Sequence, residues 1–213
     1  MKYNIHTHHQ TTEANTLAIV NQVLTAVDWH IPHFSLGIHP WYIEESLIEE
    51  QMQLIENHLH HPNCLALGEC GLDKKIAIPL ELQEEVLVRQ LLLAEKNKKA
   101  VILHVVSAYQ EIIALKKRLN LQVPLIVHGF NKHQQVAASL WKNGFYLSFG
   151  RALLQSPRLQ ETFASVPEEF LFLETDDDAT TTIDAVYAKA AIVRPDIAQI
   201  IEANFKRIWK NEY

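Results

Sequence analysis

Residues 64–70 read Cys-Leu-Ala-Leu-Gly-Glu-Cys, an apolar run that carries one carboxylate, Glu69, close to its end. Near-continuous apolar runs of this length are typical of strands covered on both faces, as in a parallel sheet. The same pattern recurs along the chain, because other short apolar runs also end in His or Asp. These runs are Tyr3 to Ile5 before His6 and His8, HFSLGIHP (33–40) with His39, AVILH (100–104) with His104, PLIVH (124–128) with His128, and FLFLETD (170–176) with Asp176. One further run, GFYLSFG (144–150), predicts a strand that ends without an ionisable group.

Longer amphipathic segments separate these runs and predict helices. Strand followed by helix, repeated, indicates a barrel or a doubly wound sheet. A full α/β barrel usually needs about 250 residues, so a chain of 213 residues must be shortened somewhere. The weak point is 9–32, where only 17–24 could supply a second strand or a helix. We therefore expect one α/β domain over 1–213, a TIM-like (β/α) barrel trimmed near its second βα unit, with seven clear strands and one doubtful. The helix candidates are 44–61, 80–98, 108–119, 132–143, 151–163, 182–193 and 196–210.

Composition narrows the class of protein. The formal net charge is −6 and no basic tail is present, which argues against tight non-specific binding to nucleic acid. No run of about 18 apolar residues exists and the start, MKYNIHTHHQ, is polar, so we expect a soluble, cytoplasmic protein with no membrane contact. Cys64 and Cys70 are too few for a disulfide framework and should be reduced thiols in the core.

Ionisable side chains at the ends of different strands converge in a barrel, because its active site forms where the strands end. His6 and His8 are two residues apart on an extended segment, so both imidazoles face the same way. Imidazole and carboxylate together suit Zn, Fe, Mn or similar divalent ions. Each residue alone also fits a surface or core role; Glu69 could cap a helix or pair with a cation, and Asp176 could belong to a solvated acidic loop. Collected near one point they would be costly to bury unless they were paired or bound an ion.

Six motifs carry a resemblance to the TatD family of metal-dependent deoxyribonucleases and related hydrolases. They are N-I-H-T-H (4–8), G-I-H-P (37–40), G-E-C-G-L-D (68–73), V-I-L-H (101–104), V-H-G-F (127–130) and L-E-T-D (173–176). The last segment, with Asn204 and Trp209, also resembles the family's closing helix, so the similarity spans roughly 3–210.

The resemblance implies a barrel that holds two divalent ions, Mg, Mn or Zn. In that arrangement His6, His8 and Asp176 bind one ion, His104 and His128 bind the other, Glu69 lies between them, and His39 contacts the scissile phosphate. The implied activity is cleavage of DNA or another phosphodiester from the 3′ end, with no stable protein partner. We expect Glu69 and Asp176 to be the catalytic carboxylates: Glu69 bridges the ions that activate a water, and Asp176 can accept a proton as well as hold a metal.

Three departures from the family pattern keep other functions open. Asn4 stands where the family usually has Asp, Val106 stands where it has Arg, and Asp177-Asp178-Ala179 follow Asp176 in place of Ser or Ala and then Pro-Tyr. Loss of the Arg removes a bidentate phosphate contact that Lys74, Lys75 or a metal replaces only in part. The alternatives are a metal-dependent hydrolase of a small phosphoester, amide or lactone, and a non-catalytic metal-binding scaffold.

Overall fold

The computed structural model describes residues 1–10 and 13–209. Within them eight strands alternate with helices, as an α/β fold requires. The strands are β1 (Lys2–Thr7), β2 (Thr16–Gln22), β3 (Phe34–Leu36), β4 (Cys64–Asp73), β5 (Ala100–Val106), β6 (Leu125–Val127), β7 (Phe145–Phe149) and β8 (Leu171–Leu173). The helices are α1 (Ile48–His58), α2 (Leu80–Asn97), α3 (Tyr109–Arg118), α4 (Gln134–Trp141), α5 (Arg151–Gln155), α6 (Pro157–Ser165), α7 (Ile183–Val193) and α8 (Ile197–Ile208), with 3₁₀ turns at Pro40–Tyr42, Glu45–Leu47 and Glu168–Phe170.

The described residues form two compact units, the first made of residues 1–10, 13–20 and 126–209 and the second of residues 21–125. In the first unit β1 runs parallel to β2, and β7 runs parallel to β8. Its interior is aromatic: the rings of Tyr3 and Phe205 stack with centroids 4.2 Å apart, and Phe149 meets Phe163 edge-on at 5.1 Å. The hydroxyl of Tyr187 accepts from the backbone N–H of Tyr3 at 3.0 Å, which fixes α7 against β1.

The second unit is a run of three parallel strands, β3, β4 and β5, with α2 packed on β4. Two buried glutamines of α2 bond to backbone groups beyond the helix. Gln90 Oε1 accepts from the N–H of Ile38 at 2.7 Å, and Gln83 Oε1 accepts from the N–H of Asp73 at 2.8 Å. Buried amides are stable only when so paired, and here they fix α2 against the segments that end in His39 and Asp73.

The structure resolves the doubtful stretch near the second strand. The segment that could have been strand or helix is a strand, β2, and the described residues of 8–33 contain no helix. The second βα unit therefore lacks its helix, as expected for a trimmed barrel, although residues 11 and 12 of that stretch lie outside the described part.

Two expected helices differ from the structure. The expectation of one helix over 151–163 is wrong, because α5 ends at Gln155 and α6 begins at Pro157. Pro157 has no N–H to continue α5, while the Ser156 hydroxyl caps α6 by accepting from the N–H of Leu159. The segment 44–61 starts as a 3₁₀ turn before α1, and the last residue of the expected helix 196–210 lies outside the described residues.

Both cysteines are buried and neither forms a disulfide, as the sequence predicted. Among the described residues, no helix is long and apolar enough to cross a membrane. One domain over 1–213 stays a prediction.

Candidate functional site

In the first unit, three histidines surround a single carboxylate oxygen. Asp176 Oδ1 lies 3.5 Å from His6 Nε2, 3.7 Å from His8 Nε2 and 4.0 Å from His128 Nδ1. These separations are longer than a hydrogen bond. They come close to the separation of two ligands on one metal, about 3.0–3.4 Å for bonds of about 2.1 Å. The side chain of His6 is wholly buried.

The backbone brings these residues together through β1 and the end of β8. Thr7 and Asp176 form a parallel bridge, the N–H of Asp176 donates to the carbonyl of His6 at 3.1 Å, and the N–H of His8 donates to the carbonyl of Asp176 at 3.1 Å. Asp176 has φ of +57°, a left-handed conformation that Asp tolerates better than most residues. The turn of the chain at Asp176 therefore sets the direction of its carboxylate.

Glu174 is a carboxylate of this cluster that the sequence reasoning left out. It is fully buried, Oε1 accepts from the N–H of Gly129 at 2.6 Å, and the same oxygen lies 3.6 Å from His128 Nδ1. His128, Glu174 and Asp176 also offer ligand atoms within 4.8 Å of one another. Glu174 stands in the motif L-E-T-D directly after β8, but only its bond to Gly129, 45 residues earlier in the chain, identifies it as part of this cluster.

In the second unit, His39, Glu69 and His104 form a buried cluster around another single carboxylate oxygen. Glu69 Oε1 lies 3.1 Å from His39 Nε2 and 2.8 Å from His104 Nδ1, and the exposed fraction of the Glu69 side chain is 3%. The N–H of Glu69 donates to Asn21 Oδ1 at 2.8 Å. The N–H of Trp41 donates to His39 Nδ1 at 3.1 Å, so the ring proton of a neutral His39 lies on Nε2 and points to Glu69.

A second carboxylate, Asp73, supports this cluster and was also missed. Its Oδ2 accepts from Trp41 Nε1 at 2.7 Å and lies 3.5 Å from His104 Nε2. Burial raises the pKa of Asp73, but the bonds from Trp41, from the backbone of Lys75 and from His104 outweigh it, so the net pKa is lowered and the group is anionic. Asp73 is the last residue of the motif G-E-C-G-L-D, four residues beyond Glu69 on β4.

The donor atoms in both units fit a divalent metal. The triads His6, His8, Asp176 and His39, Glu69, His104 each place one ligand atom per residue within 4.8 Å of the others. Two imidazoles with one carboxylate form a donor set that suits Zn or Mn. Of the predicted ligands, His6, His8, His128 and Asp176 therefore come together in the first unit, and Glu69 and His104 come together in the second with the proposed phosphate contact His39.

The unusual Asn4 has a local explanation. Its amide donates to Thr175 Oγ1 at 2.8 Å and its carbonyl oxygen accepts from the N–H of Thr175 at 3.1 Å. A hydroxyl can donate or accept, so an Asp could make the same pair. Asn4 thus ties β1 to the residue before Asp176 without adding a buried charge. The presence of Asn4 where the family usually has Asp removes none of the predicted metal ligands.

The cationic side chain of Arg151 lies beside the first cluster. Arg151 lines a cavity of about 450 Å³ together with Gly129, Glu174 and Asp176. Its Nε lies 3.2 Å from Asp178 Oδ2, and among the described residues this is the ion pair it makes. Arg151 was not singled out from the sequence, because it follows a strand that ends without an ionisable group.

Comparison with known proteins places the fold and the family. A profile of the family described as TatD related DNase matches residues 4–210. The chain is 30% identical over 146 residues to an uncharacterized metal-dependent hydrolase of Bacillus subtilis, covering 67% of this chain and 57% of that protein. It is 29% identical over 162 residues to the 3′-5′ ssDNA/RNA exonuclease TatD of Escherichia fergusonii, covering 69% and 59%. The chain thus spans less than two thirds of the length of these relatives.

A solved structure agrees with the sequence matches. The crystal structure of a TatD homologue from Escherichia coli K12 superposes with a TM-score of 0.76 at 25% identity, covering 90% of this chain and 85% of the other. The expected α/β class with a TIM-like barrel is thereby confirmed. Sequence profile, relatives and solved structure lead to one conclusion, that the chain belongs to the TatD-related DNase family.

Proposed function

We propose that this chain is a divalent-metal-dependent phosphodiesterase that releases nucleotides from the 3′ end of single-stranded nucleic acid. The observation that carries the proposal is that each unit has one carboxylate oxygen close to the ring nitrogens of several imidazoles: the partly exposed Asp176 in the first unit and the buried Glu69 in the second. The relative named as a 3′-5′ ssDNA/RNA exonuclease is the basis for proposing a phosphodiester as the bond and single-stranded nucleic acid as the polymer. Its name covers both DNA and RNA.

The proposed cofactors are two divalent ions, Mg, Mn or Zn. His6, His8 and Asp176 would hold one, and Glu69 with His104 would contribute to the other. That Glu69 also reaches the first ion and that His128 binds the second stay predictions. Bound divalent ions neutralise charge on a phosphate and make water acidic enough to provide a nucleophile near neutral pH. Equilibrium dialysis with metal analysis tests this: wild type should retain metal, and His6→Asn should retain less.

The side chains have distinct roles in this proposal. Asp176 can accept the proton that the attacking water loses, because its carboxylate is partly exposed while His6 beside it is wholly buried. His39 would donate from Nε2 to a phosphate oxygen, since Trp41 already occupies its Nδ1. That contact would require His39 to exchange its present bond to Glu69 for one to the substrate.

Two cationic side chains can partly replace the phosphate contact that the missing Arg would make. Arg151 borders the cavity beside Asp176, and its terminal nitrogens make no ion pair within the described residues. In the second unit Lys74 pairs with Glu111, whereas the exposed Lys75 follows Asp73 without an ion pair among the described residues. Both groups favour an anionic substrate.

Glu69→Gln tests the activity. Purified wild type with Mg or Mn should release mononucleotides from single-stranded DNA. Glu69→Gln should release none, because the neutral amide removes the negative charge that helps to hold divalent ions at this position. Glu84→Gln is the matched control: the same change on the surface of α2, where Glu84 pairs with Arg118. Equal release by wild type and Glu69→Gln would exclude the role of Glu69.

A second candidate function follows from Val106, which replaces the bidentate Arg with a side chain that cannot bind phosphate. A metal-dependent hydrolase of a small phosphoester, amide or lactone does not need that contact. Assays on small phosphodiesters, amides and lactones, run beside the DNA assay, separate the two. Failure of every substrate, with metal still bound, would leave the non-catalytic scaffold.

A further inference from the structure

Two consecutive aromatic side chains are exposed to solvent immediately after His39. Trp41 is 51% exposed and Tyr42 is 66% exposed, whereas the other large aromatic side chains of the described residues are more covered. Rings of this size normally bury most of their area. An exposed pair next to titratable groups is therefore a feature of binding surfaces rather than of cores.

The pair is held in place rather than loosely attached. His39 caps the 3₁₀ turn Pro40–Tyr42, accepting from the N–H of Trp41 through its ring and from the N–H of Tyr42 through its carbonyl at 3.0 Å. The indole N–H donates to Asp73 Oδ2 at 2.7 Å. Asp73 is buried, its Oδ1 accepts from the N–H of Lys75, and its own backbone N–H donates to Gln83 Oε1. The indole edge is therefore anchored, while a large part of the ring surface stays open.

The aromatic pair adjoins the histidines of the second cluster. The Trp41 ring centroid is 5.2 Å from that of His39 and 5.6 Å from that of His104, and the Tyr42 centroid is 5.4 Å from that of His39. A chain whose phosphate contacts His39 would carry its next bases within reach of these rings, since successive nucleotides lie only a few ångströms apart.

We infer that Trp41 and Tyr42 form a stacking surface for an unpaired base of the substrate strand. The inference rests on the proposed function and deepens it, because it names a single-stranded polynucleotide as the ligand of the second unit rather than a small phosphoester. Aromatic side chains stack on every base and so tolerate any sequence. Bases inside a duplex are already stacked and paired, so this surface selects strands whose terminal bases are open.

The test separates base from backbone. A fluorescent, nuclease-resistant phosphorothioate oligonucleotide is titrated with wild type in Mg, and then each base in turn is replaced by an abasic sugar. Stacking is worth about 1–3 kcal/mol per base, so one replacement should weaken binding by about 5- to 150-fold. Tyr42→Leu and Trp41→Leu should bind the intact strand more weakly and lose most of this dependence on the base.

Tyr42→Phe is the matched control, because it keeps the ring and removes the hydroxyl alone; it should keep the dependence. Tyr42 is so exposed that its substitution should leave folding intact, which protects the test if a Trp41 variant is unstable. Intrinsic fluorescence gives a second readout of binding. The intact strand should quench tryptophan emission, and Trp41→Phe should remove the part of the quenching that comes from Trp41.

The outcomes distinguish the two proposals. Base-dependent binding that the leucine variants lose, with no cleavage of ordinary DNA, would support the stacking surface and overturn the proposed activity. Cleavage by wild type with no abasic position weakening binding would overturn the stacking surface and leave the activity. Absence of any oligonucleotide binding, or identical base dependence in wild type and Tyr42→Leu, would likewise overturn it.

Discussion

Gly71→Ala should strongly destabilise the protein, although the substitution adds only one methyl group. Gly71 on β4 stands opposite His104 on β5 in the parallel ladder. A Cβ built at Gly71 would lie 1.8 Å from the carbonyl oxygen of His104 and 2.7 Å from its carbonyl carbon. Both atoms belong to the backbone, so no side-chain rotation can relieve the clash.

The size of the effect follows from the movement required. An ordinary carbon–oxygen contact is about 3.2 Å, so the two strands must separate locally by more than an ångström, which breaks the nearby ladder bonds. Two lost hydrogen bonds at about 1 kcal/mol each, with overpacking strain of about 1–3 kcal/mol, give a loss of about 3–5 kcal/mol. The same movement should draw His104 away from Glu69, now 2.8 Å apart, and weaken metal binding.

Urea denaturation followed by tryptophan fluorescence measures the loss, and Gly129→Ala is the control. Gly129 has φ of +56°, but a Cβ there would meet only side-chain atoms at 3.8 Å or more. It should cost about 1–2 kcal/mol for the left-handed conformation alone. If Gly71→Ala lost no more stability than Gly129→Ala, the argument from strand separation would be refuted.

Two further predictions concern stability. Asn204→Ala should lower the free energy of unfolding by about 2–4 kcal/mol, because the Asn204 amide donates to two backbone carbonyls at 2.7 and 2.9 Å; urea denaturation measures it. Asn204→Asp, which keeps the shape but cannot donate, should be at least as unstable, and a stable Asp variant would contradict the role of the donor. Burial raises the pKa of Tyr109 to about 12, whereas it titrates near 10 when unfolded, so its stabilisation is complete below pH 10 and is lost as the pH rises toward 12. The stability of wild type should therefore fall relative to that of Tyr109→Phe between pH 10 and 12, and a constant difference would contradict the assignment.

The sequence predicted the site residues that follow apolar runs. His6, Glu69, His104, His128 and Asp176 each follow a run apolar enough to predict a covered strand, and the strands β1, β4, β5 and β8 are present with parallel partners in each unit. Because neighbouring parallel strands end at one edge, the pattern indicated which ionisable residues could meet. Their assignment to particular ions came from the family resemblance.

What escaped prediction depends on contacts between residues far apart in the chain. Glu174 reads as one more buried strand residue until its bond to Gly129 is seen. Asp73 and Trp41 are 32 residues apart, and no local pattern pairs an exposed indole with a buried carboxylate. The choice of strand for β2 was equally beyond local propensity, because its apolar residues fit either period until β1 lies beside them.

The two buried thiols allow local opening of the fold to be measured by chemical labelling. Cys64 and Cys70 are completely covered, and burial, with the nearby charge of Glu69, raises the pKa of the Cys70 thiol. A buried, protonated thiol reacts slowly with alkylating and disulfide reagents. Labelling at either position would therefore measure how often β4 opens, and a cysteine introduced on the surface could carry a dye without removal of the native pair.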